Sequence, residues 1–180
     1  MISVFLAGAL AATPVPAHDA FFARLSALCG QSFEGRLATP PTAGDAAFQQ
    51  RLVVEVRDCR ADEVRMPLAA GADRSRTWIV TRTPDGLRLK HDHRHADGTE
   101  DVLTQYGGDT TGPGSAERQA FPADAFSKAL FLRENAAVSV PNVWALEIRP
   151  GQEMVYELSR PGRLFRISFD LARPLSGEAP

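Results

Sequence analysis

The chain has 180 residues, 44% of them apolar and 23% charged, with 20 basic against 22 acidic side chains and a formal net charge of -2. This is the composition of one soluble globular domain, and it excludes disordered, collagenous and multi-pass membrane chains. Basic and acidic residues are interleaved along the whole length, so there is no polybasic footprint for nucleic acid or an anionic lipid surface.

Residues Ile2 to Ala12 form an uncharged stretch of apolar and small side chains, too short to cross a bilayer of roughly 30 Å as a helix. They read as the core of a signal peptide, with Val15-Pro16-Ala17 as the small-residue exit and cleavage ahead of His18. The expectation is a leader over 1–17, a single domain over 18–180, and a bacterial periplasmic or secreted location. No membrane span is expected once the leader is removed. Cys29 and Cys59 both follow the cut, and an even count in an exported chain predicts one disulfide; the alternative is two separate buried thiols. A lipidated cysteine at Leu28-Cys29-Gly30 is disfavoured, because Asp19 and Arg24 interrupt the apolar run before it.

From Asp19 to Leu28, Phe21, Phe22, Leu25 and Leu28 follow helical spacing, with Asp19 placed to cap the start and Gly30 to end it. The period then switches to two. Alternating segments at 33–38, 51–58, 63–69, 76–83, 87–94, 101–106, 116–121, 142–149, 153–159 and 163–171 predict about ten short strands. Turn residues separate them at Thr83-Pro84-Asp85-Gly86, Arg149-Pro150-Gly151-Gln152 and Arg160-Pro161-Gly162-Arg163, which predicts consecutive antiparallel hairpins. A second helix is expected over Pro122 to Glu134, with Asp124 in its first turn and Phe126, Ala129, Leu130 and Arg133 on one face. Loops are expected at Thr39 to Ala47 and Gly107 to Ser115, the latter mobile and without the lysine or following helix of a P-loop. Ten meandering strands in one flat sheet would leave long exposed edges. A mainly β fold is therefore expected, an up-and-down antiparallel barrel or strongly curved half-barrel with an N-terminal helix and one short inserted helix.

This order of a helix followed by an antiparallel meander resembles the lipocalin-like barrels, a group that includes fatty-acid-binding and ten-stranded haem-binding members. More locally, Arg76-Thr77-Trp78, Gly86-Leu87-Arg88-Leu89-Lys90-His91-Asp92-His93-Arg94-His95 and Tyr106-Gly107-Gly108-Asp109-Thr110 are similar to a set of uncharacterised secreted bacterial proteins. That likeness implies export but brings no chemistry with it.

Three of the four histidines fall at His91, His93 and His95, and two-residue spacing on a strand puts them on one face with Leu87 and Leu89. Arg88, Lys90, Asp92 and Arg94 take the other face, toward water. Alternate residues rise by about 6.6 Å, so one ion cannot easily take all three imidazoles. Two of them with a carboxylate from Asp97, Glu100 or Asp101 would suit a divalent metal such as zinc, copper or iron, the favoured set being His91, His93 and Asp101. The competing reading is a polar barrel mouth in which neutral histidines hydrogen-bond to Thr77, Tyr106 or water. His18, exposed by cleavage, would be a copper chelator through its free amine or, more simply, a frayed terminus.

For the hairpin that carries the histidines, pairing Arg82 with Leu87, Val80 with Leu89, Trp78 with His91 and Arg76 with His93 keeps the apolar residues on one face. This register, with Thr83 to Gly86 as the loop, is expected over one that pairs Trp78 with Asp92. It predicts a cationic, aromatic-walled mouth built from Arg76, Trp78, His91, His93, His95 and Tyr106, with Trp78 stacked near His91 and room for a small anionic or planar ligand. Trp78, Trp144 and Tyr156 are otherwise expected in the core. No Gly-x-Ser-x-Gly, His-Glu-x-x-His or Cys-x-x-Cys occurs, so no catalytic residue is assigned. The expectation is a monomeric, non-enzymatic barrel binding a small molecule or ion. The alternatives are a periplasmic accessory protein that binds another protein through a barrel edge or the Gly107 to Ser115 loop, and a metal-dependent enzyme.

Overall fold

Alternation of inward apolar and outward polar side chains folds the chain into ten antiparallel strands: β1 (Gln31–Leu37), β2 (Leu52–Val56), β3 (Glu63–Ala70), β4 (Asp73–Thr83), β5 (Gly86–His93), β6 (Tyr106–Asp109), β7 (Arg118–Pro122), β8 (Val143–Arg149), β9 (Glu153–Arg160) and β10 (Arg163–Asp170). The computed structural model describes residues 16–176, so the leader read over 1–17 lies, as far as residue 15, outside the described residues. The strands form one sheet in the order β6-β5-β4-β3-β2-β1-β10-β9-β8-β7. Each strand pairs with its sequence neighbour except across β6 and β7, and β1 also pairs with β10. The result is a nearly closed up-and-down barrel, the lipocalin-like architecture.

Among the described residues, two α-helices, α1 (Ala17–Ser26) and α2 (Ala125–Arg133), and two 3-10 segments at Ala43–Gln49 and Ala137–Ser139 complete it. The edges β6 and β7 do not ladder. The start of α2 bridges them instead: Gly107 N donates to Ser127 Oγ at 2.7 Å, Ser127 Oγ donates back to the Gly107 carbonyl at 2.8 Å, and Asp124 N donates to the same carbonyl at 3.0 Å. One serine on a helix thereby satisfies backbone groups that a missing strand neighbour would leave open.

The two barrel ends differ. At the end that carries the β4–β5 turn, α1 inserts Phe21, Phe22 and Leu25, none more than 3% exposed, into the core. Asp19 forms an ion pair with Arg82, and His18 Nε2 donates to the Gly112 carbonyl at 3.0 Å. Cys29 and Cys59 form the expected disulfide, tying the chain after α1 to the chain after β2 across 30 residues. On the chain-entropy view such a link stabilises by roughly 3 to 4 kcal/mol. Thiol labelling of denatured, unreduced protein should therefore find no reactive cysteine; two reactive thiols per chain would refute the bridge. The opposite end carries the 3-10 segments, the β5–β6 loop, the end of α2 and the β9–β10 turn, and it stays open.

Several boundaries differ from expectation. The sixth strand is not 101–106 but Tyr106–Asp109, so the first third of the loop expected over Gly107 to Ser115 is β6. The cause is local: the Asp101 carboxylate turns the chain by accepting from Leu103 N at 2.8 Å, and Gln105 takes a φ of 56° before the strand begins. The loop expected over Thr39 to Ala47 contains a 3-10 helix, whose start is held by reciprocal bonds between Thr42 and Asp45. Helix α1 begins two residues earlier than read, so His18 lies inside its first turn and is not a frayed end, and Asp19 binds Arg82 rather than capping. Asp124 is the N-cap of α2, accepting from Ser127 N at 2.8 Å. The buried face of α2 is Ser127, Leu130 and Phe131, with Phe126 half exposed over Lys90.

Candidate functional site

The register of β4 against β5 is the expected one: Arg82 pairs with Leu87, Val80 with Leu89, Trp78 with His91 and Arg76 with His93. Thr83 also pairs with Gly86, so the turn is only Pro84 and Asp85. The stripe of Leu87, Leu89, His91 and His93 thus continues from the sealed core into a cavity of about 680 Å³ at the open end. This volume falls within the range of small-molecule sites. A groove of similar size on the outside, over β1, β9 and β10, is lined mainly by ion-paired or hydrogen-bonded polar groups such as Glu34, Glu153 and Asp170 and has no aromatic wall.

Of the sequence-predicted residues, Arg76, Trp78, His91, His93, Asp101 and Tyr106 line the cavity. His95 does not: β5 ends at His93, the chain turns at Asp97 and Gly98, and His95 is exposed. Trp78 does not stack near His91. It lies parallel to Tyr156, with centroids 4.1 Å apart and planes 4° apart, while His91 stacks on Tyr106 at 4.6 Å. Trp78, Trp144 and Tyr156 are buried, as a core reading requires, and also form the cavity wall. The outer stripe is less open than expected: Asp92 is only 7% exposed, covered by Arg94 and Gln105. Residues that the sequence reading missed come largely from the second half of the chain, namely Trp144 and Asn142 on or before β8 and Arg160 and Arg163 flanking the β9–β10 turn.

His91 forms the floor. Its Nδ1 faces the Tyr106 carbonyl at 3.1 Å, which can only accept, so that nitrogen carries the proton and Nε2 accepts from the Tyr156 hydroxyl at 2.8 Å. Both ring nitrogens are engaged, and a bridge runs across the barrel from β5 to β9. Burial pushes the His91 imidazole down to about 3, only partly offset by the Tyr106 carbonyl. Burial likewise takes His93 down to about 4, with the nearby Arg76 charge acting in the same direction and Asp101 against it. The Tyr106 and Tyr156 phenols are both pushed up by burial and stay protonated.

His93 Nε2 and the Tyr106 hydroxyl share one hydrogen bond at 3.1 Å. A neutral imidazole and a phenol bring two protons to that pair and use one between them. One donor therefore remains, on His93 Nδ1 or on the Tyr106 oxygen, for a third group.

The charged rim is mostly internally paired. Arg76 is bound to Asp73 and Arg163 to Asp45. Burial works against the charge on Asp73, but Ser75 and Arg76 bring its carboxyl down to about 2. Burial opposes the charge on Asp45 as well, and Arg163 and Thr42 outweigh it. His91, His93 and Asp101, the donors expected for a metal, all line the cavity. The described residues nevertheless hold no group of three or more His, Cys, Asp or Glu side chains arranged to hold an ion.

No helix among the described residues is long and apolar enough to cross a membrane. Comparison with family models, with curated proteins and with solved structures found no match to this chain.

Proposed function

We propose that this protein is an exported small-molecule-binding barrel that takes its ligand into the open end, against the aromatic wall and the His93–Tyr106 pair. The carrying observation is the cavity of about 680 Å³, closed below by the His91–Tyr156 bridge and walled by Trp78, Tyr106, Phe131 and Trp144. An apolar pocket with a few convergent polar groups is the usual form of such a site. Export is supported by the apolar leader pattern and by the disulfide, which persists in an oxidising compartment. The polar contact to the ligand is His93 with Tyr106, since His91 has no free ring nitrogen. A second reading, docking of a partner protein at the same end, draws on Val102 and Val138, which are 64% and 65% exposed and adjoin cavity residues Leu103 and Ser139.

The chain has two tryptophans, and both line the cavity, so intrinsic emission reports entry directly. Titration with anilinonaphthalene sulfonate, a flat amphipathic anion, should quench that emission to saturation. His93→Ala should weaken binding several-fold, while Arg94→Ala, outside the cavity, should leave it unchanged. Equal losses from both variants, or no saturable quenching, would rule out the mouth as the binding site.

A further inference from the structure

The charges that line the cavity do not all cancel within the protein. Arg76 and Arg163 have carboxylate partners, but Arg160 has none among the described residues; its guanidinium donates only to Asn142 Oδ1, at 3.1 Å. That bond fixes the amide, so Asn142 Nδ2 is the free end. The residue is 5% exposed, lines the cavity, and its Nδ2 has no hydrogen-bond partner among the described residues. Arg160 and Asn142 therefore present a cation and an amide donor side by side, a pairing suited to a carboxylate.

On another wall, between β5 and β6, Asp101 is the converse case. One carboxylate oxygen accepts from Leu103 N at 2.8 Å, and no Lys, Arg or His among the described residues lies within ion-pair distance of the side chain. Tyr106 lies near it and lines the same cavity. One unmatched positive group and one unmatched negative group thus border an aromatic-walled space. A ligand with a single charge would leave one of them desolvated and unpaired, which is costly in a partly buried site.

We propose, building on the binding function above, that the ligand is a zwitterion: an ammonium group and a carboxylate on an aromatic or large apolar body, as in an aromatic amino acid or a short peptide. The ammonium meets Asp101 and the carboxylate meets Arg160 with Asn142, while the body lies between Trp78, Tyr106 and Trp144. This replaces the small anionic or planar ligand expected from the sequence, because Arg76 is already bound to Asp73 and Trp78 stacks on Tyr156 rather than near His91.

The test is calorimetric titration of the full chain with phenylalanine and phenylalanyl-phenylalanine, against phenylpropionate and phenylethylamine, which carry only one of the two charges. At least one zwitterion should bind roughly tenfold or more tighter than both single-charge analogues. The better of the two zwitterions separates the free amino acid from the peptide. Arg160→Gln should abolish the advantage over the amine but keep that over the acid, and Asp101→Asn should do the reverse; unchanged melting temperatures exclude unfolding as the cause. Phenylpropionate binding as tightly as the better zwitterion would overturn the zwitterion proposal and leave the cavity intact as an anion site. Saturable anilinonaphthalene sulfonate binding with no response to any phenylalanine derivative would also overturn it while sparing the binding function. Failure of that dye as well would bring down both.

Discussion

Acidification from about pH 7 to pH 4 will destabilise the barrel by on the order of 5 kcal/mol, more than most single substitutions do. The folded state holds His91 and His93 neutral, with values near 3 and 4, against about 6.5 in the unfolded chain. Above pH 6.5 neither state gains a proton, and the histidines cost nothing. As the pH falls below 6.5 the unfolded chain takes up protons that the folded chain refuses, so stability drops by about 1.4 kcal/mol per pH unit for each imidazole until the folded values are reached. The carboxylates held low, Asp73 and Asp124 among them, lose their contribution only below about pH 4, where the unfolded carboxyls become protonated. The window from 6.5 to 4 therefore belongs mainly to the histidines. Urea midpoints across that range should fall steadily, with close to half the slope lost in His91→Gln. A flat profile would mean that the imidazoles are hydrated, and the floor of the cavity would have to be redrawn.

Gly108→Ala will be as damaging as a large core deletion, at about 3 kcal/mol or more, although it adds a single carbon. An added Cβ would lie 1.7 Å from the Pro122 carbonyl oxygen and 3.2 Å from Asp124 N, backbone atoms that cannot retreat unless β7 and the start of α2 move away. That movement would break the Gly107–Ser127 bonds that close the barrel. Gly112→Ala is the control: nothing lies within 4 Å of its added carbon, and its effect should be within about 0.5 kcal/mol of zero. Similar midpoints for the two variants would show that the seam between β6 and β7 is loose.

Alternation was informative wherever one strand face is buried, because a one-residue slip would carry a whole apolar set into water. For that reason the Trp78–His91 register and nine of the ten strands could be read, even with Pro84 at the turn. The exception, β6, reads Tyr106-Gly107-Gly108-Asp109. Its glycines carry no alternation; they allow close approach of the Leu89 carbonyl on β5 at Gly107 and of the Pro122 carbonyl on β7 at Gly108, which no local pattern reveals. The preceding 101–106, Asp-Val-Leu-Thr-Gln-Tyr, does not alternate strictly and is shaped by side-chain bonds between Asp101 or Thr104 and the backbone.

The site was legible in part for a related reason. Spacing on one strand places His91 and His93 inward but does not say where the strand stops, so His95 was assigned to a wall that it never reaches. The partners across the lumen were out of reach of neighbour-strand reasoning. Tyr156 on β9 meets Trp78 on β4 and His91 on β5 only because the barrel closes. One signal was available: arginines on both sides of the turn Arg160-Pro161-Gly162-Arg163 put two cations at one barrel end, the end that also holds the histidines.

One barrel end is sealed by α1, and the other is proposed to hold a single small molecule. Native mass spectrometry of the full chain with graded anilinonaphthalene sulfonate tests it directly, with Ala136→Trp as the comparison because Ala136 lines the mouth and the larger ring would fill it. The structure predicts one adduct that saturates before any second forms, and its loss in a variant that melts like the parent. Several adducts accumulating together, unchanged by the filled mouth, would contradict it.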